Sequence, residues 1–314
     1  MQQKAHNTSA PKASLDRILE QVNSVILGKP RQIRLALACL LSKGHLLIED
    51  LPGVGKTTLA HTLARVLGLE FQRIQFTSDL LPADILGVSV YRRESGGFHF
   101  HPGPIFSQVI LADEINRATP KTQSALLESM EEQQVTIEGE TRALPEPFFV
   151  IATQNPADQV GTFPLPESQL DRFLMRITLG FPDNESERLL LQGKSRRSVV
   201  NTLQPAVTLT EFVQLQDAAA QAHIADPLLN YLQAILAVTR EHDEIHSGLS
   251  PRAGLAVKGA AQAWALLEGR NYVVPEDVQA VLIPVISHRL KNRNQEPLEP
   301  EYLETVLLKS VPVP

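Results

Sequence analysis

Apolar positions along the chain follow two regimes. Up to about residue 182, short apolar runs alternate with stretches of helical spacing; beyond it, helical spacing continues alone. Residues 45–48, 71–76, 109–112, 148–152 and 175–178 are compact apolar runs and predict five buried strands. Between them, Leu15, Ile18, Leu19, Val22 and Ile26 share one helical face, with Ser14 as the expected cap, and residues 59–67 predict a helix ended by Gly68. Strands separated by helices imply a parallel sheet covered on both faces. Two stretches break the pattern. Residues 88–106 alternate on either side of Gly96-Gly97, through Val88, Val90, Phe98 and Phe100, and residues 134–144 alternate around a glycine, so each predicts a β-hairpin inserted into the α/β region. After Phe181-Pro182-Asp183 the periodic sets Leu228, Leu232, Ile235, Leu236 and Val257, Ala260, Ala261, Trp264 predict an all-helical second domain. The expected organisation is a flexible tail over 1–13, an α/β core over 14–182 and a helical domain over 183–314.

Composition narrows the functional classes. The 314 residues suit about two domains. With 29 Lys and Arg against 35 Asp and Glu, the net charge of -6 gives no general electrostatic attraction to nucleic acid or anionic lipid. The single cysteine, Cys39, excludes an intrachain disulfide and a cysteine-based zinc site, consistent with a reducing, cytoplasmic setting. No apolar run approaches the roughly 18 residues of a membrane span, and the polar start lacks the apolar stretch of a signal peptide.

The chemistry begins at LLIEDLPGVGKTTLA, where an apolar strand runs into a Pro-Gly-Val-Gly turn and Lys56-Thr57-Thr58 opens a helix. Glycines at 53 and 55 let backbone N–H groups point inward, and the helix start adds positive potential, so the segment Pro52, Gly53, Val54, Gly55, Lys56, Thr57, Thr58 has the form of a phosphate loop. Lys56 would reach the β- and γ-phosphates, and the Thr57 hydroxyl would meet Mg²⁺. The usual pattern places a further glycine where this chain has Asp50, a residue type that tolerates left-handed backbone. A second strand, in VILADEINR, ends in Asp113, suited to the metal, and Glu114, suited to polarising the attacking water. FFVIATQNP brings Asn155 to another strand tip, where it can orient water. In LPESQLDRF, Arg172 could offer its guanidinium to a neighbour's phosphate or simply pair with Asp171. Arg252, in Ser250-Pro251-Arg252, opens a helix, an unfavourable place for a cation unless it meets an anion. His99 and His101 share a strand face with no third metal ligand nearby, and read as a solvated hairpin. His288-Arg289 could be a further interface contact.

These motifs, in this order from about Ser14 to Arg293, resemble an AAA+ ATPase of the MoxR family. The resemblance implies a P-loop AAA+ core with a five-stranded parallel sheet and two hairpin insertions, followed by an all-α lid. It further implies Walker A at Gly53, Gly55, Lys56 and Thr57, Walker B at Asp113 and Glu114, sensor 1 at Asn155, an arginine finger at Arg172 and sensor 2 at Arg252. Val25-Ile26-Leu27-Gly28 resembles the segment that holds adenine, which makes Ile26 and Gly28 nucleotide contacts by resemblance. The implied cofactors are ATP and Mg²⁺. The implied assembly is a homohexameric ring with each ATP between Lys56 of one subunit and Arg172 of the next. The implied partner is a protein client, for which a separate von Willebrand factor A-type protein is a candidate.

Chaperone-like remodelling of a protein is therefore the leading expectation. A nucleic-acid motor shares the hairpin insertions, but the acidic balance argues against it, and the hairpin tips carry Arg92 and Arg93 in one case and Glu138 and Glu140 in the other. The ATPase subunit of a metal chelatase and a nucleotide-gated scaffold with little turnover are further alternatives.

Overall fold

The computed structural model describes residues 9–94, 96–155, 161–193 and 196–314. Helices α1 (Ser9–Val25) and α2 (Pro30–Leu41) precede strand β1 (His45–Glu49) and helix α3 (Lys56–Val66). Then come β2 (Phe71–Gln75), the short α4 (Pro82–Leu86) and a hairpin of β3 (Gly87–Arg92) with β4 (Gly97–Pro102). Strand β5 (Val109–Asp113) leads into α5 (Pro120–Glu132), a second hairpin of β6 (Gln134–Ile137) with β7 (Glu140–Ala143), β8 (Phe149–Gln154), α6 (Glu167–Leu170) and β9 (Phe173–Ile177). The chain continues as α7 (Asn184–Gln192), α8 (Arg196–Thr202), α9 (Leu209–Ala220), α10 (Asp226–Glu241), α11 (Pro251–Leu267), α12 (Pro275–Ile286) and α13 (Pro300–Ser310).

The five expected strands form one parallel sheet in the order β2-β5-β8-β1-β9. The apolar runs lack polar alternation because both faces of the sheet are buried. Leu46, Ile48, Val109, Leu111, Phe149 and Ile151 join one core with α1, α2, α3 and the helical region. Leu47, Ile110, Ala112, Val150 and Ala152 point the other way, onto Ile85, Leu126 and Leu127 of α4 and α5. Only β2, at the sheet edge, leaves most of its side chains partly or fully exposed, and this leaves room for the polar Arg73 and Gln75. At the neck of the first hairpin the chain leaving β4 passes close to the end of α4. A Cβ on Gly103 would stand 2.2 Å from the Ile85 carbonyl oxygen, so only glycine fits there.

One local expectation is corrected. Helix α1 begins at Ser9, ahead of the expected cap Ser14, so the tail expected over 1–13 is helical from Ser9 onward, and residues 1–8 lie outside the described residues. The early turn is supported by tertiary contact: the Lys12 side chain lies against Gly269, where an added Cβ would meet it at 2.9 Å. Ser14 instead accepts a hydrogen bond from Arg17 at 3.2 Å. Among the described residues, no helix is long and apolar enough to cross a membrane.

Candidate functional site

Strand order explains where the polar tips meet. Strand β8 lies between β5 and β1, and neighbouring strands sit about 4.8 Å apart. The residues that follow β1, β5 and β8 at their carboxyl ends therefore share one crevice. The Asp50 N–H donates to the Gln154 carbonyl at 3.2 Å, which ties the start of the phosphate loop to the tip of β8.

Gly53 and Gly55 adopt φ of 87° and 100°, in the left-handed region, and a Cβ on either would meet nothing within 4 Å, so the loop faces open space. Pro52, Gly53, Gly55, Lys56, Thr57 and Thr58 line one side of a cavity of about 320 Å³, with Asp113, Glu114 and Asn155 on the other. Val54 turns away and packs on the core. Lys56, the first residue of α3, is buried; its ammonium donates to the Asp50 carbonyl, to the Leu51 carbonyl at 3.1 Å and to Asn155 Oδ1 at 3.1 Å. Burial pushes its pKa down, and the carboxylates of Asp50, Asp113 and Glu114 work against that shift. Thr57 Oγ1 donates to Asp113 Oδ2 at 3.2 Å. A hydroxyl and a carboxylate oxygen in contact are the hard donors that suit Mg²⁺, and the open cradle beside them suits a phosphate chain.

Asp50 is not in the left-handed region, which corrects the expected reason for its tolerance. Its carboxylate caps three backbone N–H groups instead. Oδ1 accepts from Leu51 at 2.7 Å, while Oδ2 accepts from Leu179 at 2.7 Å and Gly180 at 2.6 Å. The residue at the unusual position thus binds the phosphate loop to the segment that leaves β9.

At the tip of β5, Asp113 Oδ1 accepts from Thr153 Oγ1 at 2.6 Å, and that hydroxyl accepts from the Glu114 N–H at 2.9 Å. Arg73 on β2 donates to Asp113 Oδ2 through Nε at 3.0 Å. Glu114 adopts φ 58°, a left-handed backbone that costs a non-glycine residue energy and is common where function holds it. Its carboxylate is held by Asn155 Nδ2 at 3.2 Å, Gln75 Nε2 at 3.2 Å and Arg117 at 3.2 Å. Asn155 therefore bridges Lys56 and Glu114. Asn116, Thr153, Gln75 and Arg73 escaped the sequence reading. Asn116 donates to the Asn155 carbonyl at 3.2 Å. The one signal for Arg73 and Gln75 was their polarity within the β2 run RIQ, legible only once that strand is known to lie beside β5.

Arg172 and Arg252 do not line this cavity. They meet each other's partner elsewhere, across a cleft of about 250 Å³ between core and helical region. Arg172 Nε donates to Glu131 Oε2 at 3.0 Å, and Arg252 donates to Glu131 Oε1 at 3.1 Å while standing 3.9 Å from Asp171. These contacts hold the Glu131 carboxyl below its ordinary pKa, the Arg172 hydrogen bond first and the Arg252 charge next. The pairing of Arg172 with Asp171 gives way to one with Glu131, and the anion expected for Arg252 is supplied by Glu131 and Asp171. His288-Arg289, read as a candidate interface contact, points inward. The Arg289 side chain is 7% exposed, donates to Asp171 Oδ1 at 2.7 Å and to the Phe173 carbonyl at 2.8 Å, and His288 Nε2 lies 3.0 Å from that same carbonyl.

Ile26 and Gly28, named as adenine contacts, do not line the phosphate-loop cavity either. Ile26 is buried in the core, and Gly28 abuts the start of α7, where a Cβ would meet Ser186 Oγ at 2.5 Å and Asp183 Oδ2 at 2.7 Å.

A parallel sheet whose central tips carry a phosphate loop, an Asp-Glu pair and an asparagine, beside a helical lid, defines an ATPase of the AAA class. The family model described as "ATPase family associated with various cellular activities (AAA)" matches residues 45–175, and that of the AAA lid domain matches residues 237–307. The chain is 39% identical to Chaperone MoxR1 of Mycobacterium tuberculosis, over 99% of this chain and 85% of that one. It is 34% identical to Protein MoxR of Paracoccus denitrificans, over 93% and 94% of the two chains. A crystal structure of a candidate ATPase from Cytophaga hutchinsonii superposes with a TM-score of 0.87 at 35% identity, covering 98% of this chain and 97% of that one. The chain belongs to the MoxR family of AAA+ ATPases.

Proposed function

We propose that this protein hydrolyses ATP with Mg²⁺ in a homohexameric ring and uses the cycle to remodel or activate a protein client in the cytoplasm. The core is residues 14–182 and the lid residues 183–314. The observation that carries the reading is the separation of two sets: Lys56, Thr57, Asp113, Glu114 and Asn155 share one cavity, while Arg172 and Arg252 gather at another. Among the described residues no arginine lines the phosphate-loop cavity, which favours an arginine supplied by a neighbour, and the shared Glu131 contact favours the same trans role for Arg252 as for Arg172.

In the reaction Lys56 exchanges its carbonyl partners for phosphate oxygens. Thr57 and Asp113 would hold Mg²⁺, which when bound offsets the charge of the phosphates. Glu114, steadied by Asn155 and Gln75, orients water in line with the γ-phosphate and receives its proton. Arg172 of the neighbour meets the charge on the transferred group. Ile26 and Gly28 would reach adenine through the turn between α1 and α2. The client role is supported by the relative named Chaperone MoxR1. A von Willebrand factor A-type protein is the partner to test first, and the net charge of -6 favours a protein over a nucleic-acid track.

Glu114→Gln is expected to retain ATP while turnover falls roughly 10²- to 10⁴-fold; equal turnover by variant and wild type refutes the assignment. Lys56→Ala should abolish nucleotide binding. Mixing Lys56→Ala with Arg172→Ala subunits should restore turnover through hybrid interfaces.

A further inference from the structure

The cleft between core and lid holds an arrangement that the hydrolytic residues do not explain. Glu131 stands next to last in α5 and uses one carboxylate oxygen for each of two arginines from different parts of the fold, Arg172 just before β9 and Arg252 in the first turn of α11. Arg172 is held through Nε. Among the described residues its two terminal amino groups make no protein hydrogen bond, so the outer edge of the guanidinium keeps the paired donors that match a phosphate. Arg252 is half-exposed and spends one terminal nitrogen, Nη1, on Glu131. Asp171 is taken mainly by the buried Arg289, which also grips the carbonyls of Phe173 and Leu174 and so fixes the backbone from which Arg172 projects. Three guanidinium groups thus face two carboxylates, and the surplus positive charge lies on the two arginines at the mouth of the cleft.

We propose that Glu131 is a positioning residue that joins Arg172 of the core and Arg252 of the lid into one two-arginine clamp for the triphosphate held by a second copy of this chain. The proposal rests on the trans reading above. A carboxylate that merely neutralised Arg172 would take its terminal fork head-on. Here it takes Arg172 from behind, and it ties the lid to the core at the point where both must act together. Without it, two long side chains would have to be ordered separately at the moment of contact, each losing its rotamer entropy.

The test uses Glu131→Ala and Glu131→Gln in the full-length protein. Glu131→Ala keeps its own phosphate loop, so its KM for ATP should change less than threefold or so while kcat falls on the order of ten- to a hundredfold, the cost of a misplaced charged group. Glu131→Gln, which retains one acceptor oxygen, should recover part of kcat. Mixing Glu131→Ala with Lys56→Ala subunits should restore turnover, because Lys56→Ala subunits present an intact clamp to the working phosphate loop of the other. The Lys56→Ala with Arg172→Ala mixture is the control. Recovery in the control but not with Glu131→Ala overturns the proposal and leaves the trans reading standing; no recovery in either overturns both. Turnover of Glu131→Ala at or above wild type would identify Glu131 as a competitor for the arginines and also overturn the proposal. Should Glu131→Ala fail to fold by circular dichroism, Glu131→Gln decides by the same kcat and mixing criteria.

Discussion

Asp50 occupies the position where the phosphate-loop pattern has glycine, so Asp50→Gly is the substitution that pattern alone would recommend. The structure predicts that it damages the protein. Oδ2 accepts from the N–H groups of Leu179 and Gly180 at 2.7 and 2.6 Å, and Leu179 is buried at 2% exposure. Removing the carboxylate leaves the Leu179 N–H without an acceptor, at about 1–3 kcal/mol, and the half-buried Gly180 N–H at somewhat less. Freeing the backbone at position 50 adds roughly 0.5–1 kcal/mol. The exposed Leu51 N–H passes to water and adds nothing. The sum is about 2–5 kcal/mol. Urea unfolding should record a lowered midpoint, and hydrogen exchange should record faster loss of protection at Leu179 and Gly180 than within β9. Asp50→Asn, which retains one carbonyl acceptor, should fall between. A variant within about 0.5 kcal/mol of wild type, with protection at Leu179 intact, would refute the reasoning.

Arg73→Ala should remove a cation from Asp113, a half-exposed ion pair worth about 1 kcal/mol, so half-saturation by Mn²⁺ followed by its paramagnetic resonance should move to roughly fivefold lower concentration; a shift to higher concentration refutes this. Stability should depend on pH through His45. Its Nδ1 accepts from the Val150 N–H at 2.9 Å and its Nε2 lies 3.3 Å from the Met130 carbonyl, so the ring is neutral with the proton on Nε2, and burial pushes its pKa from 6.5 to about 4. The unfolded chain binds the proton first as pH falls. This contribution is therefore complete above about 6.5 and is lost toward 4, at up to about 1.4 kcal/mol per pH unit, with buried His288 shifted in the same direction. An unfolding free energy that stays level from pH 7 to 5 would contradict it. Arg289→Met removes a donor from the partly exposed Asp171 and from the Phe173 carbonyl, and should cost about 1–3 kcal/mol in thermal or urea unfolding; a neutral result would show that water replaces the guanidinium.

Periodicity alone specified all five strands, both hairpins and the helical region, because a strand buried on both faces has to be apolar throughout and an amphipathic helix has to repeat every three to four residues. The phosphate loop, the Asp-Glu pair and Asn155 were legible for a related reason. Each is a local device at a strand's end, where a polar residue after an apolar run has only the sheet's edge to face. Pairwise contacts between distant segments leave no such local trace. The grip of Asp50 on Leu179 and Gly180, of Arg73 on Asp113, and of Glu131 on Arg172 and Arg252 spans 40 to 130 residues of sequence.

The sequence by itself determined the classes of element, their order and the chemistry of the central strand tips, since these depend on composition within a few residues. Tertiary structure alone decided which tips are neighbours, through the order β2-β5-β8-β1-β9, and which face carries the arginines. That order brings Lys56, Asp113, Glu114 and Asn155 together and leaves Arg172 and Arg252 with Glu131 at another cavity. The physical reason is that hydrophobic burial dictates which faces are covered without regard to distance along the chain, and charged groups then pair with whatever that packing brings within a few ångströms.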